Sequence, residues 1–150
     1  MTVGPTPTAA TTEFTIYVRA LPQQVWDALT ETGTPRAWLY GTVTRSDWAP
    51  GGRYEQDVDG FVMIDGDVHR SEEPSRLILG FDAHWDESVD AEPAGVLDYQ
   101  LELAGMDVTR LTVTLSGLSG HTAEATERDT PAIYSSLKSL LETGRALALD

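Results

Sequence analysis

The sequence contains no cysteine and no asparagine. The first absence removes disulfide scaffolds, thiolate metal sites, cysteine nucleophiles and thiol redox chemistry together. The second removes every N-glycosylation sequon. Positive charge is scarce: ten Lys and Arg stand against 24 Asp and Glu, a net charge of −14. Such a surface repels phosphate backbones and anionic headgroups, which argues against nucleic-acid partners and electrostatic membrane docking. No run approaches the ~18 apolar residues of a membrane-spanning helix, so no membrane insertion is expected. The opening MTVGPTPTAATT has neither the basic start nor the apolar stretch of a secretory signal. It is rich in Thr, Pro and Ala, and residues 1–12 read as a mobile tail on a cytoplasmic protein.

What remains, residues 13–150, has the composition of one globular domain, with 41% hydrophobic and 8% aromatic residues overall. A 150-residue chain can bury roughly 68–70% of its unfolded surface, enough for a real core. Phe14, Ile16 and Val18 alternate with Thr15, Tyr17 and Arg19, the period of a strand. Pro22 then opens a short helix with Val25, Trp26 and Leu29 on one face, ended by Gly33 and Pro35. A second short helix is expected near Pro35–Tyr40, carrying Trp38 and Leu39.

Strands follow almost without interruption. Segments 42–48 and 53–58 flank the turn Ala49-Pro50-Gly51-Gly52, and 61–72 forms a long strand ended by Glu73-Pro74-Ser75. Segment 76–85 sets Leu77, Leu79, Phe81, Ala83 and Trp85 on one side. An acidic loop over 86–95 leads to 96–104, where Leu97, Tyr99, Leu101 and Leu103 share a face, and then to 108–116 with Leu111, Val113 and Leu115. The last element changes period. Thr130-Pro131 is a good helix start, Ile133, Leu137, Leu140 and Leu141 recur at helical spacing, and Gly144 is a stop. The order predicts an α+β fold: an antiparallel sheet of about six or seven strands whose apolar face the C-terminal helix covers.

Several local stretches, taken in order, carry a resemblance. They are Thr15–Ala20 running into Val25-Trp26-Asp27-Ala28-Leu29-Thr30, then Ser46-Asp47-Trp48 followed by Pro50-Gly51-Gly52. Further along come Gly66–Val68, Glu73-Pro74, Arg76-Leu77 and Thr109–Thr114, and finally Pro131-Ala132, Ser135–Lys138 and Leu141–Gly144. Over residues 13–145 the chain resembles the family named after the activator of the Hsp90 ATPase, within the helix-grip (START/Bet v 1-like, SRPBCC) superfamily. The resemblance implies a curved antiparallel sheet gripping a long C-terminal helix, two short helices after the first strand, and a cavity between sheet and helix. The best-known members act on a chaperone ATPase with an additional domain that 150 residues are not expected to hold. Where the family often has two adjacent tryptophans, this chain has Trp38-Leu39-Tyr40, so no ligand identity carries over.

The chemistry-bearing residues are weighed against that frame. His84-Trp85-Asp86-Glu87 with Asp90 has the atoms of a metal site, but one histidine in a flexible acidic loop reads as solvated surface. Asp57, Asp59, Asp65 and Asp67 are interrupted by Phe61–Ile64 and lack the closing glutamate of a calcium loop. Ser119 and His121 sit in no nucleophile elbow, and Gly51-Gly52 opens no helix that could hold a phosphate. No metal or other cofactor is expected. Arg110 and Gln100 alternate with apolar neighbours and are expected to face solvent. Aromatic and aliphatic residues are the pocket-lining candidates: Trp38, Tyr54, Leu79, Phe81, Trp85, Tyr99, Leu101, Tyr134, Leu137 and Leu141. The expected partner is a small apolar molecule. A cyclase- or aromatase-type enzyme and a chaperone-regulating interaction protein are the alternatives.

Overall fold

A computed structural model describes residues 10–149. The expected tail therefore lies outside the described residues up to residue 9, while Ala10–Thr12 belong to the first strand. The elements are β1 (Ala10–Val18), α1 (Pro22–Leu29), β2 (Val43–Arg45), β3 (Arg53–Val58), β4 (Phe61–Glu72), β5 (Arg76–Ala83), α2 (Glu87–Asp90), β6 (Gly95–Leu103), β7 (Thr109–Leu118) and α3 (Gly120–Thr143). Seven strands form one antiparallel sheet in the order β1-β7-β6-β5-β4-β3-β2. The fold is the α+β helix grip. No described helix is long and apolar enough to cross a membrane.

Period-two burial carries the sheet. In β5, β6 and β7 every second residue is buried, which puts Leu77, Leu79, Phe81, Leu97, Tyr99, Leu101, Leu111, Val113 and Leu115 on the concave face. Gln100 and Arg110 take the other parity and line a polar groove on the outer face. Register shifts in β3 at Gln56/Asp57 and in β4 at Val68/Arg70 bend the sheet. Where β4 and β5 draw closest, only glycine fits: a Cβ on Gly66 would stand 2.4 Å from the Gly80 carbonyl oxygen. The segment expected as a second short helix closes as turns, with Leu39 and Gly41 N–H both donating to the Arg36 carbonyl at 3.1 and 2.9 Å.

The terminal helix begins at Gly120 rather than at Pro131 behind a Thr130 cap, and Pro131 lies inside it. The reason is chemical. Its first half buries Thr122, Thr126 and Thr130, one residue per turn, rather than an apolar stripe. Each of the last two returns its hydroxyl proton to the carbonyl four residues back, Thr126 to Thr122 at 3.0 Å and Thr130 to Thr126 at 2.5 Å. The N-terminal N–H groups of the helix find a partner distant in sequence. Glu92 accepts from His121 N–H at 2.9 Å, Thr122 N–H at 2.8 Å and the Thr122 hydroxyl at 2.8 Å. Gly144 ends the helix in the left-handed region at φ 82°. The helix lies nearest to β1 and also touches β7, α1 and α2. Its side chains meet β3–β6 across a wider space.

Candidate functional site

That space is a cavity of about 280 Å³. Gln56 and Val58 enter it from β3, Met63 and Ile64 from β4, Phe81 from β5, Leu97 and Tyr99 from β6, and Leu115 from β7. The helix closes it with Ala125, Thr126, Asp129, Thr130, Ile133 and Tyr134, and Leu39, Tyr40, Thr42 and Trp85 complete the wall from the loops. The wall is mostly apolar, with a few hydroxyls, one carboxamide and the Asp129 carboxylate, which pairs with Arg128, and the volume sits just below the roughly 300–1,000 Å³ usual for ligand pockets.

Four of the sequence-derived candidates meet there: Phe81, Trp85, Tyr99 and Tyr134. The other six pack elsewhere. Trp38 is buried against Tyr134, ring centroids 5.8 Å apart, outside the cavity wall. Tyr54 stacks on Trp48 and donates its hydroxyl to the Gly80 carbonyl at 2.6 Å. Leu79, Leu101 and Leu137 are filled core, and Leu141 is half-buried on its edge. Strand parity correctly selects a face, but it does not select a position along that face. Leu101 pairs with Leu111, two steps beyond the Tyr99–Val113 pair, where side chains fill the interior.

Several polar residues in or near the cavity went unread as site residues in the sequence, among them Asp129 and Thr126 on the wall, Gln56 and Arg36. Gln56 shares its strand parity with Tyr54, which could have signalled an inward carboxamide. Arg36 carries no such signal, since it sits between turns beside Pro35. It is nevertheless only 4% exposed. Its Nη2 donates to the main-chain carbonyls of Leu29 at 2.9 Å and Glu31 at 3.3 Å, and its guanidinium lies 5.4 Å from the Trp38 ring centre.

The hydroxyls of Tyr99 and Tyr134 are 2.6 Å apart, with their rings edge to face. Burial raises the pKa of both phenols, so they stay neutral at physiological pH. Burial also lowers that of Arg36, while the neighbouring phenols oppose the shift. Guanidinium basicity is high enough for the cation to persist.

The acidic loop is more ordered than its composition suggests. His84 Nδ1 bonds Asp90 at 2.5 Å and Nε2 bonds Asp65 at 2.8 Å, with Asp82 at 3.7 Å. The hydrogen bonds to Asp65 and Asp90 raise the histidine's pKa and favour the imidazolium. Asp65, Asp82 and His84 are the described residues grouped closely enough to hold a cation. Asp86 instead caps α2, accepting from Val89 N–H at 2.9 Å. Asp57 pairs with Arg45, and Arg53 bridges Asp65 and Asp67.

A curved sheet, a gripped helix and an apolar chamber between them define a helix-grip cavity protein. Residues 19–142 match the family described as Activator of Hsp90 ATPase homolog 1-like protein, and the chain belongs to that family. Among solved structures it is similar to protein MLL2253 from Mesorhizobium loti, at 24% identity and TM-score 0.72, covering 89% of this chain and 97% of that one. It is also similar to the Aha1 dimer from Colwellia psychrerythraea, at 18% identity and TM-score 0.72, covering 90% and 98%. CalU16 from Micromonospora echinospora aligns at 19% identity and TM-score 0.70, covering 91% and 78%. At these identities the likenesses speak for the fold alone. A search of curated protein sequences finds no match.

Proposed function

We propose that the protein binds a small hydrophobic molecule in the cavity between α3 and strands β3–β6. The observation that carries this reading is the interior space itself, about 280 Å³ left unfilled and walled chiefly by apolar side chains. A chain that needed only stability would gain by filling it, because each missing contact forfeits dispersion energy. The few polar groups on the wall suit orientation of a guest rather than its solvation.

Titration with the apolar fluorophore N-phenyl-1-naphthylamine tests the reading. The parent protein is expected to bind it with enhanced emission, and Ile133→Trp, which fills the chamber, should weaken binding at least about tenfold. No binding by the parent, together with no small molecule retained in native mass spectrometry, would overturn it.

A second reading, an enzyme of cyclase or aromatase type, draws on the Tyr99–Tyr134 pair, since such chemistry needs a shaped pocket and a proton donor. Turnover of a hydrophobic polyketone that is lost in a Tyr99→Phe/Tyr134→Phe variant would favour enzyme over carrier. A chaperone-regulating role draws on family membership and is tested by stimulation of Hsp90 ATPase.

A further inference from the structure

We infer that the ligand of this cavity is an apolar acid, a compact hydrophobic skeleton whose single acidic oxygen is held by the Tyr99–Tyr134 hydroxyl pair near the buried Arg36 cation. The inference rests on the reading of the cavity as a ligand site, and adds the chemical class of the ligand.

The first argument counts protons. Each phenol has one O–H, and the two hydroxyls bond each other and make no other hydrogen bond to the described residues. One proton spans the pair, so one O–H donor is left without an acceptor. The neighbouring buried hydroxyls are not free in this way. Tyr54 donates to Gly80, Thr42 to Leu39, and Thr126 and Thr130 to carbonyls of α3. The Tyr40 hydroxyl also borders the cavity without a hydrogen bond to the described residues, but that side chain is 49% exposed and open to water. The pair is therefore the buried unused hydroxyl donor of a chamber that is otherwise largely apolar.

The second argument concerns charge. Buried cations are ordinarily paired with an anion, because desolvation is costly. Arg36 is buried, yet no carboxylate lies within ion-pair distance of it among the described residues, and its Nε has no hydrogen-bond partner. Only main-chain carbonyls accept from it. Its field reaches Tyr99, Tyr134 and Tyr54, and Glu31 is the acidic side chain that contributes, from an exposed position. Trp38 connects the parts: the guanidinium lies over its ring, and that ring packs on Tyr134.

The two arguments converge on one ligand chemistry. A neutral carbonyl would use the free O–H but leave the cation uncompensated, and an amine would be repelled by it. A carboxylate or an acidic enol satisfies both. Two terms oppose an anion: the net charge of −14, which is screened beyond about 8 Å at physiological salt, and the wall carboxylate of Asp129, which is partly exposed and already paired with Arg128 at 3.0 Å.

The test uses two probes of one shape, naphthalene-2-carboxylate and naphthalene-2-carboxamide. Each is titrated into the full chain at pH 7 and about 0.15 M salt, by calorimetry and by intrinsic tryptophan fluorescence. The carboxylate is expected to bind about tenfold or more tightly than the amide, the scale of a hydrogen bond to a charged group. The preference should vanish in Arg36→Met and in the double variant Tyr99→Phe/Tyr134→Phe. The double variant removes both partners of one hydrogen bond while keeping their shape, so it decides the matter if Arg36→Met fails to fold. Equal or tighter binding of the amide overturns the acid class while leaving the cavity reading intact. A carboxylate preference that persists in the double variant places the anion elsewhere and overturns it too. Binding of neither probe, nor of N-phenyl-1-naphthylamine, removes the cavity reading and this inference together.

Discussion

Truncating Phe81 and truncating Leu137 should have different consequences, although both side chains are buried on the inner layer. Leu137 is 0% exposed and belongs to the filled core, so Leu137→Ala leaves a void on all sides. Its expected cost is in the upper part of the usual range of about 2–5 kcal/mol. Phe81 is 7% exposed and forms part of the cavity wall. One side of its ring already lacks neighbours, so roughly half the contacts of a packed phenylalanine remain to be lost. Halving the usual cost of about 3–5 kcal/mol gives about 2 kcal/mol for Phe81→Ala. Urea denaturation of both variants, read at a common m-value, measures the two costs. Phe81→Ala should also enlarge the chamber and change N-phenyl-1-naphthylamine affinity, whereas Leu137→Ala should leave it nearly unaltered. The reasoning fails if Phe81→Ala costs about 3–5 kcal/mol, as in a packed core, and leaves probe binding unchanged.

Pro131 deprives Glu127 of a helical N–H partner from an exposed position within α3, so Pro131→Ala should stabilise the protein by about 2 kcal/mol, after allowing for the looser unfolded chain. A rise in the denaturation midpoint checks this. The pKa of His84 is raised in the folded state, so its ion pairs add stability that is fully present below its unfolded pKa of about 6.5 and is lost as pH rises through the higher folded value. Midpoints measured from pH 6 to 9 should fall with a slope that His84→Gln flattens, and an unchanged slope refutes the assignment. Glu92→Gln should loosen the start of α3, seen as faster amide hydrogen exchange at His121 and Thr122 with little change near Leu137.

Strand faces and the C-terminal half of α3 were legible in the sequence because each rests on local periodicity. Alternation placed Leu77, Tyr99 and Val113 inward and Arg110 outward, and the stripe of Ile133, Leu137, Leu140 and Leu141, which packs on the core, and the Gly144 stop follow from helical spacing and a left-handed φ. The first half of α3 was not legible, because its buried stripe is threonine and its cap is Glu92, 29 and 30 residues from the N–H groups it serves. Nor could periodicity separate Phe81, which borders open space, from Leu79 and Leu101, which lie in the filled core, since all face inward by the same alternation. That distinction depends on α3 lying close to β1 and standing away from β3–β6, a tertiary distance no local pattern encodes. Arg36 is the extreme case. An arginine between turns reads as surface, and only the packing of Trp38 and the carbonyls of Leu29 and Glu31 around it turn it into a buried charge beside the chamber.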